Sequence, residues 1–421
     1  MHKKTRDMLG RQGLTRVDEA WEVLLSHLRT ATPPTETVPL ASALDRITAR
    51  PIMSPENLPA HARSTMDGYA VQAADTFGAT ESMPGYLRIT GDVAMGEQPT
   101  FQIERGTCAR IATGGLLPSG TDAVIMLEHT VPIDETMIEV VKAVGVGTNL
   151  IAPGEDIGKG SPALPAGHRL RPQDLGLLAG LGIDRVEVYH RLSVGILSTG
   201  DEIVPYTATP PPGKIRDING ITLSGLITRA GAKATLYGIV SDRKDRFFPA
   251  AEKAVLENDI VLFSGGSSVG MRDLGEQAIS SLGKPGILVH GVALKPGKPI
   301  IIGLTGTTPI FGLPGHPVSA MVCFDFFVEP TIRHLSGLRV PETLPRPVIT
   351  ARLGRNINSA PGRRDLIRVQ LSRAETGWVA EPVLGKSGAI TTLSRAHGFF
   401  LIDEDSQGLT KDTEVKVTLY L

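Results

Sequence analysis

Glycines, serines and an aspartate cluster between residues 259 and 273, directly after a short apolar run. The run, residues 260–263, is β-branched and aromatic, which is typical of a buried strand in a parallel sheet. Glycines let backbone N–H groups approach a ligand closely, and serine hydroxyls can point at phosphate-like oxygens. The segment therefore predicts an anion-binding loop. Its members are Ser264, Gly265, Gly266, Ser267, Ser268 and Gly270.

Asp273 closes this segment and has two interpretations. Magnesium is commonly held by one or two carboxylates together with substrate phosphates, so an aspartate beside an anion loop suits a metal. Alternatively, Asp273 caps the helix that the following apolar residues predict, and the loop is an ordinary turn. The loop matches neither the P-loop pattern nor the dinucleotide fingerprint, so neither of those nucleotide sites is expected.

The composition limits the classes of partner. The 421 residues include 43 lysines and arginines against 44 acids, so no net charge favours nucleic acid or an anionic membrane. Cys108 and Cys323 lie far apart among apolar neighbours, which fits a reducing compartment. Neither a membrane-spanning apolar run nor the apolar core of a signal peptide is present. We expect a cytoplasmic protein of about three domains, with no nucleic-acid or membrane partner.

The amino-terminal part predicts one amphipathic helix followed by a β-rich lobe. The helix begins near Thr15, with Asp18 as a capping-box-like partner. Its apolar stripe consists of Val17, Trp21, Leu24, Leu25 and Leu28. Short strand-like runs at 86–89, 123–126 and 137–141 then alternate with turn residues. A short helix is expected at 174–181.

Residues 187–337 alternate between strand and helix patterns, which predicts a doubly wound, three-layer α/β domain. Strands are predicted at 194–197, 235–240, 260–263, 300–302 and 310–312. Helices are predicted at 221–230, at 248–256 and, as one long helix, from Val318 towards His334. After a proline-rich linker, residues 346–421 return to strand patterns and predict a small β domain.

Polar residues follow the strands of the predicted α/β domain, at the edge where open parallel sheets bind ligands. The first strand leads to Ser-Thr-Gly-Asp-Glu202, the second to Ser-Asp242 and the third to the loop that ends at Asp273. Further on, Lys295 and Lys298 place two ammonium groups on a stiff turn. Acids from three strand ends favour a functional site, although a helix cap or a solvated turn is the alternative for each residue alone.

Seven motifs occur in a fixed order along the chain. They are Ser-Thr-Met-Asp67-Gly-Tyr-Ala, Arg110-Ile-Ala-Thr113-Gly-Gly, Pro-Gly-Glu-Asp156, Ser-Thr-Gly-Asp-Glu202, Ser264-Gly-Gly-Ser-Ser-Val-Gly-x-x-Asp273, Lys295-Pro-Gly-Lys298-Pro and Gly-Leu-Pro314-Gly-x-Pro-Val-Ser319. Gly385-Lys-Ser-Gly388 follows near the end. Together they resemble the molybdopterin molybdenumtransferase family, which includes the gephyrin E domain, from Thr15 to the carboxyl terminus.

The resemblance implies a multidomain α/β plus β fold and a reaction. The domains would be a dimerisation domain (1–52 plus 148–186), an inserted β-rich lobe (53–147), a molybdopterin-binding α/β domain (187–337) and a small β-barrel (346–421). The reaction would insert molybdenum from molybdate into adenylated molybdopterin, with release of AMP and help from Mg²⁺. A homodimer is implied, in which the β-rich lobe of one subunit faces the α/β domain of the other. Molybdopterin adenylyltransferase and apo-molybdoenzymes would be transient partners.

The resemblance also assigns site residues. Catalytic roles would fall to Asp67, Thr113, Asp156, Glu202, Asp242 and Asp273, and the last two would hold magnesium. Cofactor binding would fall to Ser264, Gly265, Gly266, Ser267, Ser268, Gly270, Lys295, Lys298, Pro314 and Ser319.

Four positions depart from the family pattern. Ile151-Ala-Pro153 lacks the usual arginine, Gly291 stands where lysine is frequent, His316 replaces asparagine and Ser267 replaces valine. Two expected cations are therefore missing. Either the metal or substrate differs, or other cations compensate; the candidates are Arg110, Lys214, Arg216 and Arg363.

Three alternative functions are open: a non-catalytic cofactor carrier or scaffold, adenylyl transfer to molybdopterin, and a tungstate-specific paralogue. Acids at the sheet edge argue against a scaffold, and the flanking domains argue against adenylyl transfer. Molybdate and tungstate are tetrahedral dianions of nearly equal size, so the sequence does not separate them. A zinc enzyme is disfavoured, because the ten histidines show no paired ligand spacing.

Overall fold

The computed structural model describes residues 13–28, 33–265, 269–339, 346–375 and 377–420, without the side chains of 269–273. The chain forms two compact units. The first comprises the residues up to Glu36, Asp45–Ala49 and Val188–Leu421, and the second comprises Thr37–Leu44 and Arg50–Glu187. In the described part of the chain, no helix has both the length and the apolar character needed to cross a bilayer. The predicted domain boundaries stay a prediction.

The second unit contains the predicted β-rich lobe as a six-stranded sheet. In spatial order its strands are Ala123–Met126, Gly68–Val71, Thr107–Ile111, Gly85–Val93, Met137–Val140 and Thr130–Pro132. Every residue of Gly68–Val71 is buried, because separate apolar clusters cover the two faces of the sheet. The neighbouring strand approaches so closely that a Cβ on Gly68 would come within 1.8 Å of the Ile125 carbonyl oxygen. Only glycine fits there.

Shorter elements complete the second unit. Arg63–Ser64 pairs with Leu150–Ile151, and Ile52–Met53 pairs with Pro162–Leu164. Its helix, Pro172–Gly180, begins with proline at its first position, where the missing N–H costs nothing. The unit also contains three short 3₁₀ helices, Leu40–Ser42, Ala73–Thr76 and Leu127–His129. The strands Thr35–Pro39 and Arg185–Tyr189 lie where the chain passes from one unit to the other.

The first unit contains the predicted doubly wound α/β domain, which is confirmed. Its six strands are, in spatial order, Lys233–Val240, Ser193–Thr199, Ile260–Ser264, Thr308–Leu313, Ile301–Thr305 and Pro285–His290. The first four are parallel, and the last two pair antiparallel with their neighbours. Strand residues alternate between two apolar clusters: Leu262 faces one layer of helices, and Phe263 faces the other. This alternation explains the unbroken apolar run in the sequence.

Helices cover both faces of this sheet. One face carries Val17–His27, Asn219–Arg229 and the segment 317–335, and the other carries Lys244–Glu257 and Val269–Leu282. Phe247 and Phe263 meet edge to face, with ring centroids 5.0 Å apart. A small parallel pair, Ile203–Val204 with Ile215–Arg216, lies after the first strand.

The carboxyl-terminal domain, also in the first unit, is a closed barrel, as predicted. Its five strands follow the order Arg364–Ala374, Gly377–Pro382, Val348–Leu353, Glu414–Leu419 and Gly398–Ile402, which returns to the first. Closure leaves no free edge inside the barrel wall. The segment Leu294–Lys295 of the α/β domain pairs with the start of Arg364–Ala374. A short pair, Ile357–Asn358 with Gly408–Leu409, and a helical turn, Thr391–Ser394, complete the domain.

Two finer predictions are wrong, and one of the two interpretations left open for Asp273 is excluded. Thr15 and Asp18 form no capping box: Arg16 is the N-cap, and Asp18 accepts both terminal nitrogens of Arg364 at 2.9 and 2.7 Å. The long helix from Val318 is interrupted, because Phe324–Val328 forms a π-helical turn between Pro317–Cys323 and Glu329–Leu335. Asp273 does not occupy an N-cap position either, since its helix begins at Val269.

Candidate functional site

The carboxyl ends of the four parallel strands are aligned at one edge of the sheet. Ser264 is in register with Ser198 on one side and with Leu313 on the other. Thr199 is in register with Val240 at the outermost parallel strand. Residues that follow these strands must therefore meet, which confirms the predicted convergence for the part of the chain that the structure describes.

An acidic cluster, here defined as Asp201, Glu202, Asp217 and Asp242, lies at this edge. Asp242 accepts a hydrogen bond from the Thr199 hydroxyl at 2.9 Å and one from the Asp201 backbone N–H at 3.4 Å. In return, the Asp201 carboxylate accepts the Asp242 N–H at 3.3 Å. These reciprocal bonds fix the two strand-end turns relative to each other, so the acids stay close together despite their like charge.

The other members of the acidic cluster are held by the same edge. Asp217 accepts the Ser198 hydroxyl at 2.6 Å and the Gly220 N–H at 2.9 Å, which ties the start of Asn219–Arg229 to the first strand. Glu202 folds back over Gly200, where a Cβ would lie 2.7 Å from its carboxylate. Lys214 donates to the Asp201 carbonyl and brings one cation to the cluster.

Burial raises the pKa of Asp242 above its ordinary value, and the negative charges of Asp201 and Glu202 raise it further. The hydrogen bonds from Thr199 and Asp201 act in the opposite direction. A carboxylate whose ionised form is disfavoured in this way gains from a cation placed beside it. No group of three or more histidine, cysteine or acidic side chains forms a metal site among the described residues. A cation held by one or two carboxylates and substrate phosphates is compatible with this donor set.

The glycine-rich loop begins at this edge. Ser264 is buried, and its hydroxyl has no hydrogen-bond partner among the described residues. Gly265 packs directly on the neighbouring strand end, because a Cβ there would lie 2.0 Å from the Thr199 carbonyl oxygen. The predicted site residues Gly266, Ser267 and Ser268 lie outside the described residues, as does the side chain of Asp273, and Gly270 lies in the first turn of the helix Val269–Leu282.

We expect Gly265→Ala to lower the free energy of unfolding by about 1–3 kcal/mol, since an overpacked backbone contact must open. The displaced residue would be Thr199, which holds Asp242, so turnover should fall as well. Gly225→Ala is the matched control, because a Cβ at this exposed helix position meets nothing within 4 Å. That change should be neutral or stabilising by up to about 1 kcal/mol. Denaturant unfolding of both variants measures the difference, and equal stabilities would contradict the close approach at Gly265.

A second part of the site is a cavity of about 680 Å³ between the α/β domain and the barrel. We call it the basic cavity, because five cationic side chains line it: Lys295, Lys298, Arg363, Arg368 and Lys386. Pro314 and Ser319, two of the positions predicted to bind the cofactor, also line it, and their role stays a prediction. Pro299 and Pro314 are shared with a narrow cavity that reaches Thr199 and Gly265, so the basic cavity and the acidic edge adjoin.

The lining of the basic cavity includes an ion pair between an exposed lysine, Lys295, and a buried carboxylate, Asp365. Asp365 is fully buried and accepts a hydrogen bond from the Lys295 ammonium group at 2.6 Å, and the Arg363 guanidinium lies 3.7 Å away. Arg368 is 7% exposed and donates to the Thr392 hydroxyl, while its Nε has no hydrogen-bond partner among the described residues. Burial lowers the pKa of Arg368. A buried guanidinium with spare donor capacity is suited to an anionic ligand.

The remaining predicted residues lie in the second unit. Asp67 accepts both the backbone N–H and the hydroxyl of Thr113, at 2.7 and 2.9 Å, and these bonds hold its pKa below the usual value. The structure therefore brings two of the predicted catalytic residues together. Asp156 is exposed on a separate turn, where its backbone N–H donates to the Leu58 carbonyl.

One departure from the family pattern has a structural reason. Gly291 has a φ of +83°, and a Cβ there would lie 3.0 Å from the Leu14 side chain. A lysine at this position would therefore be strained.

Of the proposed compensating residues, Arg363 lies in the basic cavity, and Lys214 contacts the acidic cluster. Arg216 donates to the Ala208 carbonyl, and Arg110 contacts Asp92.

Sequence reasoning missed Asp217, Asp365 and Arg368. Asp365 and Arg368 follow Pro361-Gly362 within a strand pattern. The available signal was that two charged residues interrupt the apolar residues of this strand. Nothing local indicated that this strand would face the Lys295 turn, because the two are about 70 residues apart, as the Lys295–Asp365 bond shows.

Three family models match consecutive parts of the chain. They are described as the MoeA N-terminal region (domain I and II) over residues 15–182, a "Probable molybdopterin binding domain" over 195–334, and the MoeA C-terminal region (domain IV) over 350–420.

Relatives agree over nearly the whole chain. A Methanocaldococcus jannaschii protein named for molybdopterin biosynthesis is 36% identical, over 91% of each chain. Molybdopterin molybdenumtransferase 2 of Mycobacterium tuberculosis is 32% identical over 95% of this chain and 98% of its own. The solved molybdopterin biosynthesis MoeA protein of Pyrococcus horikoshii is 31% identical, with a TM-score of 0.83 over 97% of this chain and 100% of that chain. With the same domain order, the same motifs and the same fold, this chain belongs to the MoeA family of molybdopterin molybdenumtransferases.

Proposed function

We propose that this protein is a molybdopterin molybdenumtransferase that inserts molybdenum from molybdate into adenylated molybdopterin and releases AMP. The observation that carries the proposal is the acidic edge at the strand ends beside the basic cavity, in a chain of this family. A substrate that is anionic and also needs a cation requires both kinds of surface. The cavity volume of about 680 Å³ falls within the range of small-molecule sites.

In this proposal, the basic cavity binds oxyanions. Lys298 and Arg368 supply positive charge from opposite domains, and Ser319 supplies a hydroxyl. Asp365 offsets part of this charge and holds Lys295 in place, so the ammonium group is oriented before the ligand arrives. Preorganised donors of this kind stabilise developing negative charge without reorganisation during the reaction.

We assign magnesium to the acidic edge, with Asp242 and Asp273 as its protein ligands. The raised pKa of Asp242 supports this assignment, because a divalent cation would relieve the repulsion from Asp201 and Glu202. Bound there, magnesium would neutralise charge on the substrate phosphates. Asp242 itself is kept in place by the Thr199 hydroxyl, and Ser264 leaves a buried hydroxyl available to the ligand.

We further propose a cytoplasmic homodimer in which Asp67 and Thr113 of one subunit complete the site of the other. Molybdopterin adenylyltransferase would be its donor, and apo-molybdoenzymes would be its acceptors. The exposed, oriented carboxylate of Asp67 supports a role towards a ligand, since its hydrogen bonds to Thr113 keep it ionised. A mixed dimer of Asp67→Asn and Asp242→Asn subunits would regain activity that neither variant has alone, if each site draws on both subunits.

The direct test incubates the purified protein with adenylated molybdopterin, magnesium and molybdate. AMP release and reconstitution of an apo-molybdoenzyme are the two expected signals. If both signals are absent, the carrier or scaffold alternative is favoured. Formation of adenylated molybdopterin from molybdopterin and ATP would instead indicate adenylyl transfer. Competition between molybdate and tungstate then decides which oxyanion is preferred.

A further inference from the structure

The basic cavity contains one imidazole among its cationic side chains, that of His316. His316 directly precedes the helix Pro317–Cys323, on the loop that leaves the strand Thr308–Leu313. Its Nδ1 lies 3.1 Å from the Ser387 hydroxyl of the barrel domain. The backbone of the same loop supports this contact, because Val318 N–H donates to the Ser387 carbonyl at 3.2 Å. The imidazole is therefore fixed by a partner on the opposite wall.

Because Nδ1 contacts Ser387, Nε2 is the ring nitrogen that remains for a ligand. Among the described residues, no hydrogen-bond partner of Nε2 is found, and the ring lines the cavity. When the Ser387 hydroxyl donates to Nδ1, the neutral ring must carry its proton on Nε2. When the ring is charged, both nitrogens carry protons. In either state, Nε2–H can donate to an acceptor in the cavity.

We propose that His316 is an oxyanion-binding residue, whose Nε2–H donates to an oxyanion held in the basic cavity. Ser387 is its positioning residue in this proposal: the Ser387 hydroxyl donates to Nδ1, which leaves the proton of the neutral ring on Nε2. The ligand is a tetrahedral oxyanion, either molybdate or the phosphate of the adenylated substrate. The inference rests on the proposed function for the claim that this cavity takes oxyanions at all.

This role makes oxyanion affinity depend on pH. The other charged groups that line the cavity are Lys295, Lys298, Arg363, Arg368, Lys386 and Asp365. Lysine and arginine side chains ordinarily change charge well above neutral pH, and carboxyl groups well below it. Histidine is the side chain that ordinarily changes charge between about pH 5 and 8. A pH dependence of oxyanion affinity in this range is therefore the signature that separates an imidazole donor from the lysines and arginines of the cavity.

Binding of molybdate to the full-length protein, measured by calorimetry between about pH 6 and pH 8.5, tests the proposal. Molybdate and sulfate remain dianions over this range, so a change in affinity reports on the protein. We expect wild-type affinity for both to rise about tenfold towards the lower pH, because a charge-assisted hydrogen bond replaces a neutral one. His316→Asn should bind with an affinity that varies by less than about twofold over the range, because its amide does not titrate.

His334→Asn is the matched control. His334 is an exposed histidine of the same unit that does not line the basic cavity, so the pH dependence should persist in this variant. Ser387→Ala separates positioning from simple packing. Its affinity should fall about threefold near pH 8.5, because a neutral ring without the Ser387 contact can place its proton on Nδ1. The loss should be smaller towards pH 6, because a charged imidazole carries protons on both nitrogens.

Adenosine monophosphate as a competitor assigns the source of the oxyanion. If adenosine monophosphate displaces molybdate and its affinity falls equally in His316→Asn, the imidazole binds at the position that the substrate phosphate also uses. If it does not compete with molybdate, the imidazole binds molybdate. Binding that is independent of pH, an unaltered profile in His316→Asn, or tighter binding in Ser387→Ala would overturn the proposal and leave the proposed function standing. A wild-type protein that binds neither anion would overturn both.

Discussion

Replacing Asp242 with asparagine is expected to lower turnover at least about a hundredfold and, at the same time, to make the protein more stable. Asparagine keeps one oxygen, which can accept the shorter bond from the Thr199 hydroxyl, and gives up the 3.4 Å bond from the Asp201 N–H. The main contact of the turn should therefore survive. The negative charge is lost, and with it the proposed contact to magnesium. Turnover is measured as AMP release at saturating molybdate, and stability by thermal unfolding without magnesium.

The gain in stability follows from the direction of the pKa shift. The pKa of Asp242 lies above its ordinary value of 3.8, mainly because of burial, so the folded protein disfavours the ionised form. A group with a raised folded pKa contributes stability that is full below the unfolded pKa and is lost as the pH rises through the folded one. At neutral pH the wild-type carboxylate is therefore a cost, which asparagine removes. The advantage of the variant should shrink as the pH falls towards 4.

Asp245→Asn is the control for Asp242→Asn. Asp245 lies three residues further on, at the exposed start of the next helix, where it contacts Arg243 at 2.9 Å. Its charge is removed at a similar place in the sequence but away from the acidic cluster, and turnover should change less than about twofold. If Asp242→Asn retained wild-type turnover, Asp242 would be a structural residue of the strand-end turn. By resemblance, Asp273→Asn should match Asp242→Asn in its loss of turnover.

The acidic edge could be predicted from sequence because its geometry follows from local rules. Buried parallel strands appear as short apolar runs, and their carboxyl ends must share one edge, so Glu202, Asp242 and the loop at Ser264 were expected to converge. Parallel register then confirmed it: Ser198 lies opposite Ser264. The contacts between distant segments did not have to be known, because each strand is followed directly in the sequence by its own polar residues.

The basic cavity could be predicted only in part, because it depends on how two domains pack. The Lys295 turn was identified from its two lysines and the role of Pro314 by resemblance, but the buried Asp365 and Arg368 come from the barrel. A buried charge is tolerated when its partner is supplied by another segment, and sequence spacing carries no information about that partner. For the same reason Asp18 was predicted as a helix cap, whereas Arg364 of the barrel in fact binds it.

Arg346→Met is expected to lower the free energy of unfolding by about 3–5 kcal/mol at neutral pH, because it leaves the Asp325 carboxylate without its arginine partner and removes one of the two arginines that contact Glu329. Arg346 lies just before the first barrel strand and contacts Asp325 at 2.7 Å and also Glu329, both on the helical segment of the α/β domain. The side chain of Asp325 is only 7% exposed. Arg333→Met is the control: Arg333 is more exposed and shares Glu329 with Arg346, so its loss should cost at most about 1 kcal/mol.

The pH dependence identifies the cause of this loss. Burial already raises the pKa of Asp325, and Arg346 opposes that shift, so removing the arginine should raise the pKa further. The unfolding deficit of Arg346→Met should then grow as the pH rises from about 5 to 8, and Asp325→Asn in the same background should recover part of it. A deficit that does not vary with pH would point to lost packing instead. The helical segment that carries Asp325 begins directly after His316 and includes Ser319, so a looser junction should also weaken oxyanion binding in the basic cavity.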